Sequence, residues 1–265
     1  MPFTISHAAA ALPIGALSKS RLPLAALMIG SMSPDFAYLL PVEYNRLETH
    51  SLVGLLSFCL PLGLALWICF VTVLERPTLA FLPDAWRTRI SRTVLSPREM
   101  VMAAVAIVIG ALTHLVWDAF THSSTPVVET FPGFRDNYLD IGGLRIPVYY
   151  VLQIASSVFG LVVLGVWALN IRRRPRLPRD EQVAALSPAV NDFERFLAVM
   201  FVGASACAIG FFRVSLFGAD MPRSAKLFYL LTGGMIGAGV AWLALAIALR
   251  FRSRALQLLA QTNAE

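Results

Sequence analysis

The feature that most limits what this chain can become is its series of long apolar stretches. Seven occur, at 3–17, 22–42, 52–74, 100–120, 148–171, 196–212 and 227–249; all but the first run for at least 17 residues with few charges. A stretch of that length spans a hydrocarbon core about 30 Å thick. Composition agrees: 57% of residues are apolar, 14% are charged and the mean hydropathy is +0.68, against about 45–50% apolar and about 25% charged in soluble domains. The expectation is an all-α polytopic transmembrane bundle of six or seven hydrophobic helices, with residues 1–265 forming a single integral membrane domain. The first stretch, 15 residues long, is short enough on its own to be re-entrant or interfacial. The second carries Ser33-Pro34-Asp35, and a proline after a serine cap predicts two half-helices meeting there.

A net charge of +6 raises the question of nucleic acid. The basic residues, however, sit at the ends of apolar stretches and not in one solvated patch, so nucleic acid is set aside as a partner. Membrane lipids are the expected surroundings, and protein partners are not indicated. Counted by alternate gaps, 16 Lys and Arg fall on one side and 6 on the other. The richer side is therefore expected to be cytoplasmic, with the C-terminus there and the N-terminus outside if all seven stretches cross. Its loops 75–99 and 172–195, including Arg179, read as topology anchors. The N-terminus has no basic region before its apolar stretch and is not expected to be a cleaved signal. Cys59, Cys69 and Cys207 all lie within apolar stretches without metal-knuckle spacing, and read as packing residues. The Gly-rich run at 233–239 also lies inside an apolar stretch, so it reads as helix packing and not as a phosphate loop.

The chemistry is concentrated in four histidines and two aspartates. His7, Asp35, His50, His114, Asp118 and His122 come from four separated stretches, yet the charge-derived topology puts all of them toward the non-cytoplasmic side. Ionisable groups at membrane depth are costly and usually face the bundle interior. The sharpest local pattern is His114-x-x-x-Asp118-x-x-x-His122, a single stripe on a helix. A His and Asp at i, i+4 can grip one ion. His122, about 12 Å along the axis from His114, cannot share that ion unless the helix ends near Thr121. It is expected to serve proton transfer or a second ion. A lone histidine in an apolar stretch is more often a hydrogen-bonded core residue. Six such groups together favour a metal site over a structural polar network, with nitrogen and carboxylate donors suiting zinc, or manganese or iron. Arg46, Arg135 and Arg145 are either solvated loop residues or a clamp for a phosphate or carboxylate.

The opening Met1-Pro-Phe-Thr-Ile-Ser-His7, the Gly30-Ser-Met-Ser-Pro-Asp35 turn and the Thr49-His50-Ser51 helix start together resemble the bacterial membrane family called domain of unknown function 4184. The likeness runs to at least about residue 170. The order of these motifs is also similar to that in bacterial inner-membrane metal-dependent hydrolases. The resemblance implies a multi-pass protein of the bacterial inner membrane, with His7, Asp35, His50, His114 and Asp118 as the metal positions. His122 falls outside the shared pattern.

The leading expectation is a membrane-embedded, divalent-metal-dependent hydrolase open to the outer leaflet, acting on a lipid or lipid-linked phosphate. Asp35 or His122 would move the proton and Arg46, Arg135 or Arg145 would meet the head group. The alternatives are a proton- or ion-coupled carrier using the same cluster, a histidine-ligated haem protein, or a non-catalytic polytopic scaffold.

Overall fold

The computed structural model describes residues 3–40, 45–178, 190–217 and 221–262. Pro41 and Val42, the end of the second expected stretch, and Arg179 of the basic loop lie outside the described residues. Among the described residues the chain is all-α apart from one short hairpin. We number the elements α1 (Thr4–Leu17), α2 (Leu24–Leu39), α3 (Arg46–Thr49), α4 (Leu52–Phe81), α5 (Asp84–Arg87), α6 (Pro97–Thr121), α7 (Pro126–Thr130), α8 (Pro132–Arg135), β1 (Tyr138–Ile141), β2 (Leu144–Pro147), α9 (Val148–Ile171), α10 (Asp192–Ser215) and α11 (Arg223–Thr262). Five of them, α4, α6, α9, α10 and α11, are long and apolar enough to cross a membrane; α1 and α2 are shorter apolar helices. The helices group into two compact units, Met1–Ile68 with Val94–Asn170, and Cys69–Thr93 with Ile171–Glu265.

In the first unit, α1 and α2 each contain a 3₁₀ stretch, Thr4–Ala10 and Ser33–Leu39. The 3₁₀ rise of about 2.0 Å per residue, against about 1.5 Å in an α-helix, stretches these short segments to about 24 and 27 Å. The half-helix junction expected at Ser33-Pro34 is corrected here: α2 does not break, but tightens from α to 3₁₀ at Ser33. Pro34 has no N–H for the carbonyl of Gly30, which instead accepts the backbone N–H of Ser33 and, at 2.8 Å, its hydroxyl. Ser33 thus repairs the helix and does not cap a new one.

Helix α6 starts on Ser96, whose side chain accepts the Glu99 N–H, with Pro97 at its first position. It lies backbone-to-backbone on α2. A Cβ on Gly30 would run into the main chain of Ile107, and one on Gly110 would reach Leu27 O and stand 2.7 Å from Ser31 N. Ala26, Leu27, Ala103, Ala106 and Ile107 are fully buried around this contact. Small residues permit such an approach where lipid offers no hydrophobic drive between helices. The hairpin β1–β2 turns through Gly142 and Gly143, both at positive φ (61° and 84°).

In the second unit, α10 begins with a capping box between Asn191 and Glu194 and packs on α11 through glycine. A Cβ on Gly233 would stand 2.8 Å from the Cα of Gly210, and one on Gly237 would strike the main chain of Ser205. The Gly-rich run is thus a helix-packing surface. The end of α4 joins this unit through Trp242, whose indole N–H donates to Thr78 Oγ1 at 3.1 Å.

Candidate metal centre

Four pieces of backbone in the first unit carry the polar cluster. The 3₁₀ turn of α1 supplies His7, that of α2 supplies Asp35, the end of α3 supplies His50, and α6 supplies His114 and Asp118. His7 and His114 are 1% and 0% exposed, Asp35 2% and Asp118 4%. His50 Nε2 stands 3.4 Å from Asp35 Oδ1 and 3.6 Å from Asp118 Oδ2. His114 Nε2 stands 3.7 Å from Asp35 Oδ1 and 3.5 Å from Asp118 Oδ2. His7 Nε2 is 3.6 Å from Asp118 Oδ1, and its ring stacks on that of His114 with centroids 3.8 Å apart.

The hydrogen bonds around the cluster decide which ring nitrogens face inward. The close approach of α2 and α6 brings the Ser31 carbonyl to His114 Nδ1, whose N–H donates to it at 2.8 Å. A neutral imidazole then presents a lone pair at Nε2. His50 repeats the arrangement, its Nδ1–H facing Arg46 O at 3.2 Å. Thr4 donates its hydroxyl to Asp35 Oδ2 at 2.8 Å, leaving Oδ1 turned inward. Within the cluster, the buried atoms left without a hydrogen-bond partner are then both nitrogens of His7, Nε2 of His50 and His114, and Oδ1 of Asp35 and Asp118.

Buried polar atoms are almost always paired, and several orphans converging on one point call for an ion or protons between them. Lone pairs on His50 and His114 aimed at carboxylate oxygens would otherwise repel. Ligand atoms about 2.0–2.1 Å from a tetrahedral metal stand about 3.4 Å apart, close to the 3.4–3.7 Å separations seen here. Two overlapping donor sets meet the requirement, His7/Asp35/His114 and His50/His114/Asp118. They share His114, so they are two faces of one site. The residues fit a divalent cation.

His122 is placed differently. Helix α6 does end at Thr121, and His122 is its extended C-cap. Its Nδ1 reaches Asp118 Oδ2 at 3.4 Å and Asp118 O at 3.3 Å, while its Nε2 meets the Gln153 side-chain amide at 3.3 Å. Both nitrogens are thus engaged, with the tautomer assigned from this network. Gln153, Thr4 and Ser31 were not singled out in the sequence; a glutamine within a largely apolar spanning helix was the signal available for the first.

Of the three arginines, Arg46 is at the cluster, its Nη2 donating to Asp118 Oδ2 at 3.1 Å with the side chain 28% exposed. Arg135 pairs with its neighbour Asp136 at 3.5 Å, and Arg145 lies over the Tyr138 ring in the hairpin, 4.8 Å from its centroid. Both side chains are exposed, Arg135 at the end of α8 and Arg145 in the hairpin.

The family model described as "Domain of unknown function (DUF4184)" matches residues 1–249. No curated protein and no solved structure matches the chain.

Proposed function

The chain belongs to the DUF4184 family, and from that premise we propose that it is a membrane-embedded metal-dependent hydrolase acting on a lipid or lipid-linked phosphate. The observation that carries this reading is the convergence of five unpartnered buried atoms, one each from His7, Asp35, His50, His114 and Asp118. Zinc suits the three imidazoles and two carboxylates, with manganese or iron next. The likeness in motif order to inner-membrane metal-dependent hydrolases supports the same class. A divalent cation held there would polarise a phosphoryl or acyl oxygen and make a water acidic enough to react near neutral pH.

The chain's own residues supply the rest. Asp118 is the hub, facing His7, His50, His114, His122 and Arg46. Asp35, pinned by Thr4 at Oδ2, turns Oδ1 toward the ion as a ligand. His122, tied to Gln153, orients Asp118 and in this reading is a positioning residue. Arg46 retains guanidinium donors beyond its bond to Asp118 for the head group; Arg135 and Arg145 are engaged with Asp136 and the Tyr138 ring. By the distribution of Lys and Arg, the site faces the non-cytoplasmic side of a bacterial inner membrane.

The competing reading is a metal-free network of imidazolium and carboxylate groups in a proton- or ion-coupled carrier, which the same distances would also satisfy. A haem is disfavoured, since the stacked rings of His7 and His114 leave no plane between them for a macrocycle. Elemental analysis of purified protein separates the two remaining readings. We expect about one ion per chain, lost in His114→Ala, and hydrolysis of phospholipid or polyprenyl phosphate that chelation stops and zinc restores. Protein that stays metal-free after zinc loading ends the hydrolase reading.

A further inference from the structure

A groove of about 560 Å³ runs along α6 on the flank of the cluster. Ala10 of α1, Leu112, Val116 and Trp117 of α6, and Leu152 of α9 line it. Its hydroxyls are already engaged. Trp117 Nε1 donates to Ser156 Oγ at 3.1 Å, Thr113 donates to Gly110 O at 2.6 Å, and Thr121 to Trp117 O at 3.3 Å. What the wall offers an occupant is hydrocarbon.

The groove is continuous with the candidate metal centre on two elements. On α6, Thr113, Trp117 and Thr121 each precede a residue of the His114/Asp118/His122 stripe by one position, so the two stripes lie about 100° apart. The Trp117 ring meets His7 edge-on, centroids 5.8 Å apart, and Thr121 Oγ1 is 3.2 Å from His122 Nδ1. On α1, Ala10 lies three residues beyond His7 in a 3₁₀ stretch, on the same face. From Ile109 to Thr121 the groove is about 18 Å long, close to the depth of one leaflet, half of about 30 Å. Its Thr121 end is next to His122, and Arg46 and His122 meet the same oxygen of Asp118, Oδ2, at 3.1 and 3.4 Å.

We propose that this groove holds an acyl chain of a membrane phospholipid whose head group lies at the metal centre, so the site acts on phospholipid and not on a water-soluble or polyprenyl phosphate. Two features select that occupant: a one-leaflet length whose wall hydroxyls and indole N–H are already paired, and a guanidinium near the head-group end to complement phosphate. The proposal rests on the hydrolase reading above for what happens at the head, but the groove's occupancy is measurable without activity.

The test is photocrosslinking of the full-length protein in phosphatidylcholine nanodiscs, using a phosphatidylcholine with a diazirine at either end of one acyl chain. The terminal label is expected to concentrate on Ile109 and Leu112, and the ester-proximal label on Phe120 and Thr121, both saturably. Val116→Trp and Leu152→Trp, which fill the groove, should cut this labelling at least tenfold with metal per chain unchanged. Leu112→Ala, which opens it, should keep the labelling. Equal labelling over α10 and α11 would mean annular lipid only and overturn the proposal, as would displacement of the probe by polyprenyl phosphate in preference to phospholipid. Groove labelling on a protein that holds no metal would sustain the groove and remove the hydrolase reading. Bound metal without groove labelling would do the reverse.

Discussion

Asp118 concentrates the demands of the site in a single carboxylate: three imidazole nitrogens, a fourth from His122 and a guanidinium all lie within 3.1–3.6 Å of its two oxygens. Such a group keeps its orientation only if the surroundings hold the other ligands still. Thr4 does this for Asp35 with one 2.8 Å bond from its hydroxyl. Because valine is nearly the same shape as threonine, Thr4→Val removes the bond with little change in packing. We expect it to weaken zinc affinity about 10- to 100-fold, as loss of an outer partner usually does, and to lower the melting temperature of the metal-free protein, because Asp35 Oδ2 is left buried without a donor. Competition with a chromophoric chelator measures this, and an affinity equal to wild type would mean Asp35 is not a ligand. At this scale the sequence was informative about identity but not about state. It named five cluster residues, but the inward-facing nitrogens of His50 and His114 are set by the carbonyls of Arg46 and Ser31, which carry no sequence signature.

Secondary-structure elements place those groups through irregularity as much as through regularity. The 3₁₀ turns of α1 and α2 put His7 and Asp35 where a plain α-helix would rotate them away, and the end of α6 at Thr121 returns His122 to Asp118. Gly30 and Gly110 let α2 and α6 meet closely enough for Ser31 to reach His114. Gly110→Ala introduces a methyl that meets Leu27 O and lies 2.7 Å from Ser31 N. The helices must separate, at a cost of about 1–3 kcal/mol. The expected outcome is a lower melting temperature in detergent together with weaker zinc binding. Gly165→Ala, with open space at the Cβ position, should change neither. A Gly110→Ala protein with wild-type melting and zinc affinity would show that this contact does not position the site. The α-to-3₁₀ change at Ser33 was half legible, since Pro34 marked the place but pointed to a break. The backbone N–H and the hydroxyl of Ser33, both closing onto Gly30 O, decided otherwise.

For the molecule as a whole, orientation in the bilayer is the testable consequence of its charge. In a chain with Cys59, Cys69 and Cys207 replaced, Asn137→Cys near the hairpin should react with an impermeant maleimide from the non-cytoplasmic side, and Asp84→Cys only after lysis. The opposite pattern would put the cluster on the cytoplasmic side and remove the outer-leaflet substrate from consideration. The all-α membrane architecture and its apolar segments were readable from the sequence because transfer of a helix to lipid depends on a sum over its residues, and that sum is local. The small hairpin was not, since four-residue strands leave too short a pattern. Which side chains share one pocket, which nitrogen of each histidine turns inward, and why Arg46 reaches Asp118 while Arg135 and Arg145 engage Asp136 and the Tyr138 ring were settled only by tertiary structure. The shared pocket depends on contacts between residues as far apart along the chain as Thr4 and Asp35, Ser31 and His114, and His7 and Asp118, and those distances are set by helix–helix packing.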